Sequence, residues 1–267
     1  MSKRKYIFII CLLVVAVGAA FAGYYIAEGM YSKSTVADMQ EIAHTEDSTD
    51  IEGSDSAEEE TSVDSTEEYQ ATVDIAALQE TNPDIFAWIN IPDTDIDYPI
   101  VQHPTDDSYY LKHGANGMYS TYGCPFIELS DSQTFLEFNT IIYGHNMNDG
   151  SMFAPLHDYE DKDFYDEHRE IFIYTADHTF TYEVFAAVMY SDIHIPYYFD
   201  DTLESDRTAF LDSLTEDIVQ DRSIISEDIS VTEDDCIITL STCDKTLRSN
   251  RYLVVAVLTQ IDGQDAR

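Results

Sequence analysis

The chain has 267 residues, 52 of them acidic and 13 basic, for a formal net charge of −39. That charge argues against a nucleic-acid binder, because a phosphate backbone demands a cationic face. Hydrophobic residues make up 44%, with 19 Tyr and 13 Phe, which is too apolar and aromatic for a chain disordered throughout, and four cysteines without a CxxC spacing suit neither a disulfide scaffold nor a zinc ribbon.

The chain opens Met1-Ser2-Lys3-Arg4-Lys5, and residues 6–27 follow without a charge. Those 22 residues are long enough to cross about 30 Å of hydrocarbon as a helix. The basic flank, residues 1–5, places the N-terminus in the cytoplasm and the remainder outside. A signal peptide cleaved after Ala20-Phe21-Ala22 is the competing reading. Apolar character from Tyr6 onward is long for a cleaved signal and favours an uncleaved single-pass anchor at the cell membrane. Both readings export the protein.

Residues 28–70 then read as an acidic, disordered spacer. Residues 34–70 hold 13 acidic and no basic residues, and 34–68 hold no aromatic one. Such a segment buries too little apolar surface to offset its ordering entropy, and like charges extend it. The exported domain, 71–267, is also anionic, with 38 acidic and 9 basic residues. This serves solubility, or a preference for cationic partners.

Within the domain the pattern predicts a short helix over 72–81, ended by Asn82-Pro83. Short β-rich runs follow at 85–91, 96–101, 140–143, 171–175, 179–190, 237–241 and 252–260, divided by turn signals such as Pro92-Asp93 and Asp177-His178. Strands at these intervals indicate a mainly β sandwich or barrel. Leu203, Phe210, Leu211, Leu214 and Ile218 repeat at helical spacing, so 203–220 reads as an amphipathic helix. Residues 152–168 suit shorter helical turns.

Candidate chemistry gathers near the C-terminal strands. Cys11 lies in the apolar span as inert packing. Cys243 closes the run Cys236-Ile237-Ile238-Thr239-Leu240-Ser241-Thr242-Cys243, where a strand end at a rim can expose a thiol. A nucleophilic cysteine needs a base or a positive neighbour. Lys245, Arg248 and Arg251 supply three of the domain's nine cations within eight residues. Arg251 directly precedes the next strand and can stabilise a thiolate or an oxyanion at that rim. His145 follows the run Ile141-Ile142-Tyr143-Gly144 and opens a polar loop, as a general acid at a rim would. His103, His113, His157, His168, His178 and His194 read as surface or turn residues. No HExxH or EF-hand pattern occurs, and Asp93, Asp95 and Asp97 read as a turn entering a strand, so no metal or cofactor is expected.

Together these segments resemble the sortases, class B most closely. Thr239-Leu240-Ser241-Thr242-Cys243 followed by Arg251 resembles the family's TLxTC…R signature. Tyr143-Gly144-His145-Asn146-Met147 with Asp149-Gly150-Ser151-Met152-Phe153 resembles the class B histidine segment. Asn82-Pro83-Asp84-Ile85-Phe86-Ala87-Trp88-Ile89 and Ile96-Asp97-Tyr98-Pro99-Ile100-Val101-Gln102 resemble its N-terminal region. The resemblance spans roughly residues 72–260. It implies a closed eight-stranded β-barrel with N-terminal helices and an extra helix before the penultimate strand. It also implies a cysteine transpeptidase that cleaves an LPxTG- or NPxTN-like sorting signal on surface proteins and joins them to a peptidoglycan amine of a Gram-positive-type cell wall. Cys243 resembles the nucleophile, His145 the acid and base, and Arg251 (or Arg248) the oxyanion-binding residue. Two alternatives stay open: a pilus-type transpeptidase using a pilin lysine, and an inactive binding module on the same fold. Cys124 and Cys236 are extra thiols, free or paired.

Overall fold

The computed structural model describes residues 3–44, 73–216, 222–244 and 249–267. The apolar segment begins a single 41-residue helix, α1 (Lys3–Ala43), about 60 Å long at 1.5 Å per residue. Its outer reach is uncovered by protein: Val14 and Val15 are 66% and 67% exposed. The helix does not stop at residue 27. Residues 28–43, expected to open a disordered spacer, stay helical and dock on the domain. The cause is a stripe hidden by the acidic composition. Ser32, Thr35, Met39 and Ala43 are buried, Val36 and Ile42 half-buried, recurring every three or four residues. The rest of the expected spacer, residues 45–70, lies outside the described residues.

Helix α2 (Ile75–Thr81) starts where the Asp74 carboxylate accepts from the Ala77 N–H at 2.8 Å. It ends where Asn82, ahead of Pro83, turns extended (φ −147°, ψ 111°). The strands then follow, seven of them where the sequence placed a β-rich run and two short ones, β6 and β9, where it did not: β1 (Ile85–Asn90), β2 (Asp97–Val101), β3 (Asn139–Tyr143), β4 (Glu170–Thr175), β5 (Thr179–Ser191), β6 (Ile224–Ile225), β7 (Ile237–Cys243), β8 (Asn250–Ile261) and β9 (Gln264–Asp265). A 3₁₀ turn at Ala154–Glu160 and α3 (Lys162–Glu167) fill the stretch expected to hold short helical turns. The short α4 (Ile195–Tyr198) precedes α5 (Glu204–Glu216), which is the amphipathic helix; residues 217–220 lie outside the described residues.

The sheet runs β2-β1-β4-β5-β8-β7-β3, with β6 on β5 and β9 on β8. Its pairs are antiparallel except β3 with β7, which are parallel. The expected eight-stranded closed barrel therefore takes the form of a half-barrel with seven strands in its path. Residues 125–127 bridge the two end strands. Val101 donates to the Pro125 carbonyl (3.0 Å) and accepts from Ile127 (3.1 Å), while Phe126 and Tyr143 exchange bonds of 3.0 and 2.8 Å. Pro125 has no N–H with which to extend a ladder, so the bridge stays short.

Strand alternation divides the interior into two layers. Ile238, Leu240, Tyr252, Val254 and Ala256 enter the main core. Ile237, Leu253, Val255 and Val257 face a second core completed by Phe210 and Leu214 of α5. This alternation decides which face of the sheet can carry a site.

Candidate active site

Cys243 is the last residue of β7 and pairs directly with Arg251 near the start of β8. Opposed residues of an antiparallel pair project to one face, with Cβ atoms about 5 Å apart. By parity that face is the second one, shared with Leu253 and Ile237, and it opens to solvent beyond α4. Strand β3 lies parallel on the other side of β7, with Tyr143 opposite Ser241. Gly144 extends this ladder by one bond, its N–H donating to Ser241 at 3.0 Å. His145, next in the chain, thus emerges beside the end of β7. His145, Cys243 and Arg251 line a single cleft of about 430 Å³ that also includes Leu111, Glu128, Tyr143, His194 and Leu253. The Cys243 residue is exposed and its thiol is free.

The imidazole of His145 is oriented by its neighbours. Its Nε2 lies 2.8 Å from the Leu111 carbonyl. A carbonyl only accepts, so Nε2 carries the proton and Nδ1 is left for proton exchange. Gly123 packs against the same ring at φ +66°; a Cβ there would stand 3.1 Å from His145 Cδ2 and 2.5 Å from the Tyr110 carbonyl. Tyr143 backs the cleft and its hydroxyl is buried. Burial, together with Glu128 and Asp131, pushes the Tyr143 phenol well above its ordinary range, with Arg251 opposing. The Tyr143 hydroxyl has no hydrogen-bond partner among the described residues.

A polar network fixes the strand end that carries the thiol. The Cys243 carbonyl accepts from Asn146 Nδ2 at 2.7 Å and meets His157 Nε2 at 3.2 Å. His157 Nδ1 lies 2.8 Å from Glu160 Oε1. Both His157 partners are acceptors, so both bonds form together only in the imidazolium. Arg222 Nε donates to Glu160 Oε2 at 2.6 Å, and Nη2 lies 2.8 Å from Asp244 Oδ2. The Asp244 side chain, directly after Cys243, has no exposed surface. Burial opposes ionisation of Glu160, but the bonds from Arg222 and His157 outweigh it and hold the carboxyl below its ordinary range. His157, read from sequence as a surface residue, is therefore a fully engaged neighbour of the site, its side chain only 12% exposed. Its partner Cys243 lies 86 residues away, beyond any local pattern.

Other expectations resolve as follows. Lys245 and Arg248 lie outside the described residues. Cys124 is buried and Cys236 half-buried, and neither is in a disulfide. Burial pushes both thiols up. His194, also expected on the surface, does lie exposed, but inside the cleft and 2.8 Å from the Glu128 carboxylate. Asp97 accepts from Trp88 Nε1 (2.7 Å) and Asn90 Nδ2 (3.1 Å), a structural use of that acid.

A half-barrel with its cleft at the β7–β8 rim is the architecture of the sortases. The sortase domain family model matches residues 89–259. Sortase B of Listeria monocytogenes is 42% identical over 167 residues, 62% of this chain and 65% of that relative, a little under two thirds of its length. Sortase B of Staphylococcus aureus is 31% identical over 189 residues, 69% of this chain and 74% of that relative. Among solved structures, sortase B from Bacillus anthracis in complex with AAEK1 superposes with a TM-score of 0.67 at 31% identity, covering 87% of this chain and 98% of that one. The Staphylococcus aureus sortase B–substrate complex gives 0.60 at 30%, covering 69% and 83%. The chain belongs to the sortase family. Within that family its place is class B, and the family's members are cysteine transpeptidases.

Proposed function

We propose that this chain is a membrane-anchored cysteine transpeptidase with Cys243 as nucleophile, His145 as general acid and base, and Arg251 as the oxyanion-binding cation. The observation that carries this reading is the register of Cys243 opposite Arg251, with His145 at the adjoining strand end on one cleft. The substrate is the C-terminal sorting signal of a surface protein, of LPxTG or NPxTN type, and the acceptor is a peptidoglycan amine. The Cys243 thiolate adds to the scissile Thr carbonyl carbon, and the electron pair moves onto oxygen, which Arg251 stabilises. Collapse breaks the C–N bond, and His145 protonates the departing amine. The incoming amine then adds to the thioester and loses its proton to His145, and the thiolate leaves. Helix α1 anchors the enzyme, residues 1–5 remaining in the cytoplasm and the domain from about residue 71 working outside.

The test uses the full chain in detergent beside Cys243→Ala, His145→Ala and Arg251→Ala, with both peptide types and an amine, read by mass spectrometry. Cleavage after Thr with an amine adduct, lost in all three variants, is expected. An unmodified peptide, with Cys243 inert to alkylation, would instead make the chain a binding module on this fold.

A further inference from the structure

The domain's acidity has two long interruptions, residues 108–127 and 245–261, and the first is the longer. Residues 108–127 are twenty consecutive positions without a carboxylate, in a chain where 52 of 267 residues are acidic. Lys112 adds a cation. At the tip of this stretch stand Met118 and Tyr119, 60% and 57% exposed, presented by a turn in which the Gly114 N–H donates to the Met118 carbonyl at 2.9 Å. Together they form an exposed apolar pair at the tip of the acid-free loop.

The same loop is tied to α1 at a defined height. The Thr121 N–H donates to Glu28 Oε1 at 2.8 Å, and Asn116 Nδ2 donates to the Tyr31 hydroxyl at 3.1 Å. Glu28 is the first charge after the apolar span. Tyr24 and Tyr25, exposed by 55% and 53%, lie one turn before it, where an aromatic belt meets the headgroups. The loop from Asn116 to Thr121 therefore lies along α1 at Glu28 and Tyr31, at the level where the apolar span ends.

We propose that the Met118–Tyr119 tip rests in the headgroup boundary of the bilayer that α1 crosses, giving the domain a second membrane contact. This rests on the anchor reading of α1. One helix alone leaves a domain free to turn about its axis. Two contacts fix the azimuth, and Leu111, which opens this loop and lines the cleft, then holds the cleft mouth toward the membrane surface. The acid-free composition suits this use, since carboxylates would be repelled by phosphate headgroups.

The test places one environment-sensitive fluorophore at a time on the full chain in phosphatidylcholine vesicles, at Met118→Cys, at Val15→Cys in the span, or at Tyr197→Cys on α4. Cys11, Cys236 and Cys243 are changed to Ser, and Cys124 is buried. Spin-labelled lipids report depth. The expected result is quenching of position 15 by acyl-chain labels, a blue shift and quenching of position 118 by headgroup labels, and neither at 197. Quenching at 15 with position 118 behaving like 197 overturns the second contact alone. No quenching at 15 or 118 overturns the anchor reading with it.

Discussion

Arg222→Met tests the network beneath Cys243. The change keeps an unbranched stem of similar reach and removes the guanidinium from between Glu160 and Asp244. The Asp244 side chain is wholly buried, while Arg222 and Glu160 keep 30% and 25% of their side-chain surface. Breaking a buried pair at one partner costs about 3–5 kcal/mol. Water reaches the arginine side of this triad, which puts the loss near the lower end, about 3 kcal/mol, or roughly 150-fold in the folded-to-unfolded ratio. For a domain of this size that is a drop of about 6–12 °C in Tm. Thermal unfolding of the full chain in detergent, followed by near-UV circular dichroism, reads it. Adding Asp244→Asn should recover a large part of the loss, because the buried charge is gone. The gap between wild type and Arg222→Met should also narrow in acid. The Glu160 pKa is depressed in the folded state, so its contribution is present above the ordinary value of 4.5 and lost as pH falls through the folded value. Unfolding of Arg222→Met within 2 °C of wild type, or a double variant no more stable than the single one, would refute the assignment.

Three further outcomes follow from positions already described. Gly123→Ala must place a Cβ 2.5 Å from the Tyr110 carbonyl at a positive φ, costing about 1–3 kcal/mol; a fall in kcat/KM larger than the loss of folded protein would show that His145 has shifted. Asp131 is held up to about 8, by burial first and by Glu128 and Glu137 next. Its folded pKa is raised, so its stabilisation is complete below the ordinary value of 3.8 and lost as pH rises through about 8. Asp131→Asn should flatten stability between those limits and raise it at pH 8 by about 1 kcal/mol or more; an unchanged pH profile in chemical denaturation would count against this. Under native conditions iodoacetamide should label Cys243 ahead of Cys236 and leave Cys124 unmodified, since the first is exposed and the last is buried with its thiol pushed up; peptide mapping gives the order, and early labelling of Cys124 would contradict its burial.

Much of this was legible in the sequence because it is local. Residues 252–258 are apolar throughout and 237–241 break only at Thr239 and Ser241, so both faces of β7 and β8 had to be buried, and Arg251, directly ahead of the second run, could be placed at the rim that ends the first. Helix α2 stopped where Pro83 required. What sequence reading missed depends on distance or on masking. The stripe Ser32, Thr35, Val36, Met39 and Ile42 is mixed in polarity and set among acids, so average composition read as a spacer while its periodicity read as a helix face. His157, Arg222 and Asp244 are separated by 65 and 22 positions and meet only through the fold; nothing near any of them signals a shared role. The bridge through residues 125–127 could not be foreseen either, because so short a segment leaves no alternation to detect.

The parallel pairing of β3 with β7 has a consequence for the order in which the cleft forms. Tyr143 and Ser241 are partners across 98 positions, and β8, the last long strand, sits between β5 and β7. Until β8 has paired, β5 has an open edge on that side and β7 lacks the strand that brings Arg251 opposite Cys243. Contacts of such long separation form late, since loop closure must precede them. The cleft that joins His145, Cys243 and Arg251 is therefore completed only when the last long strand docks.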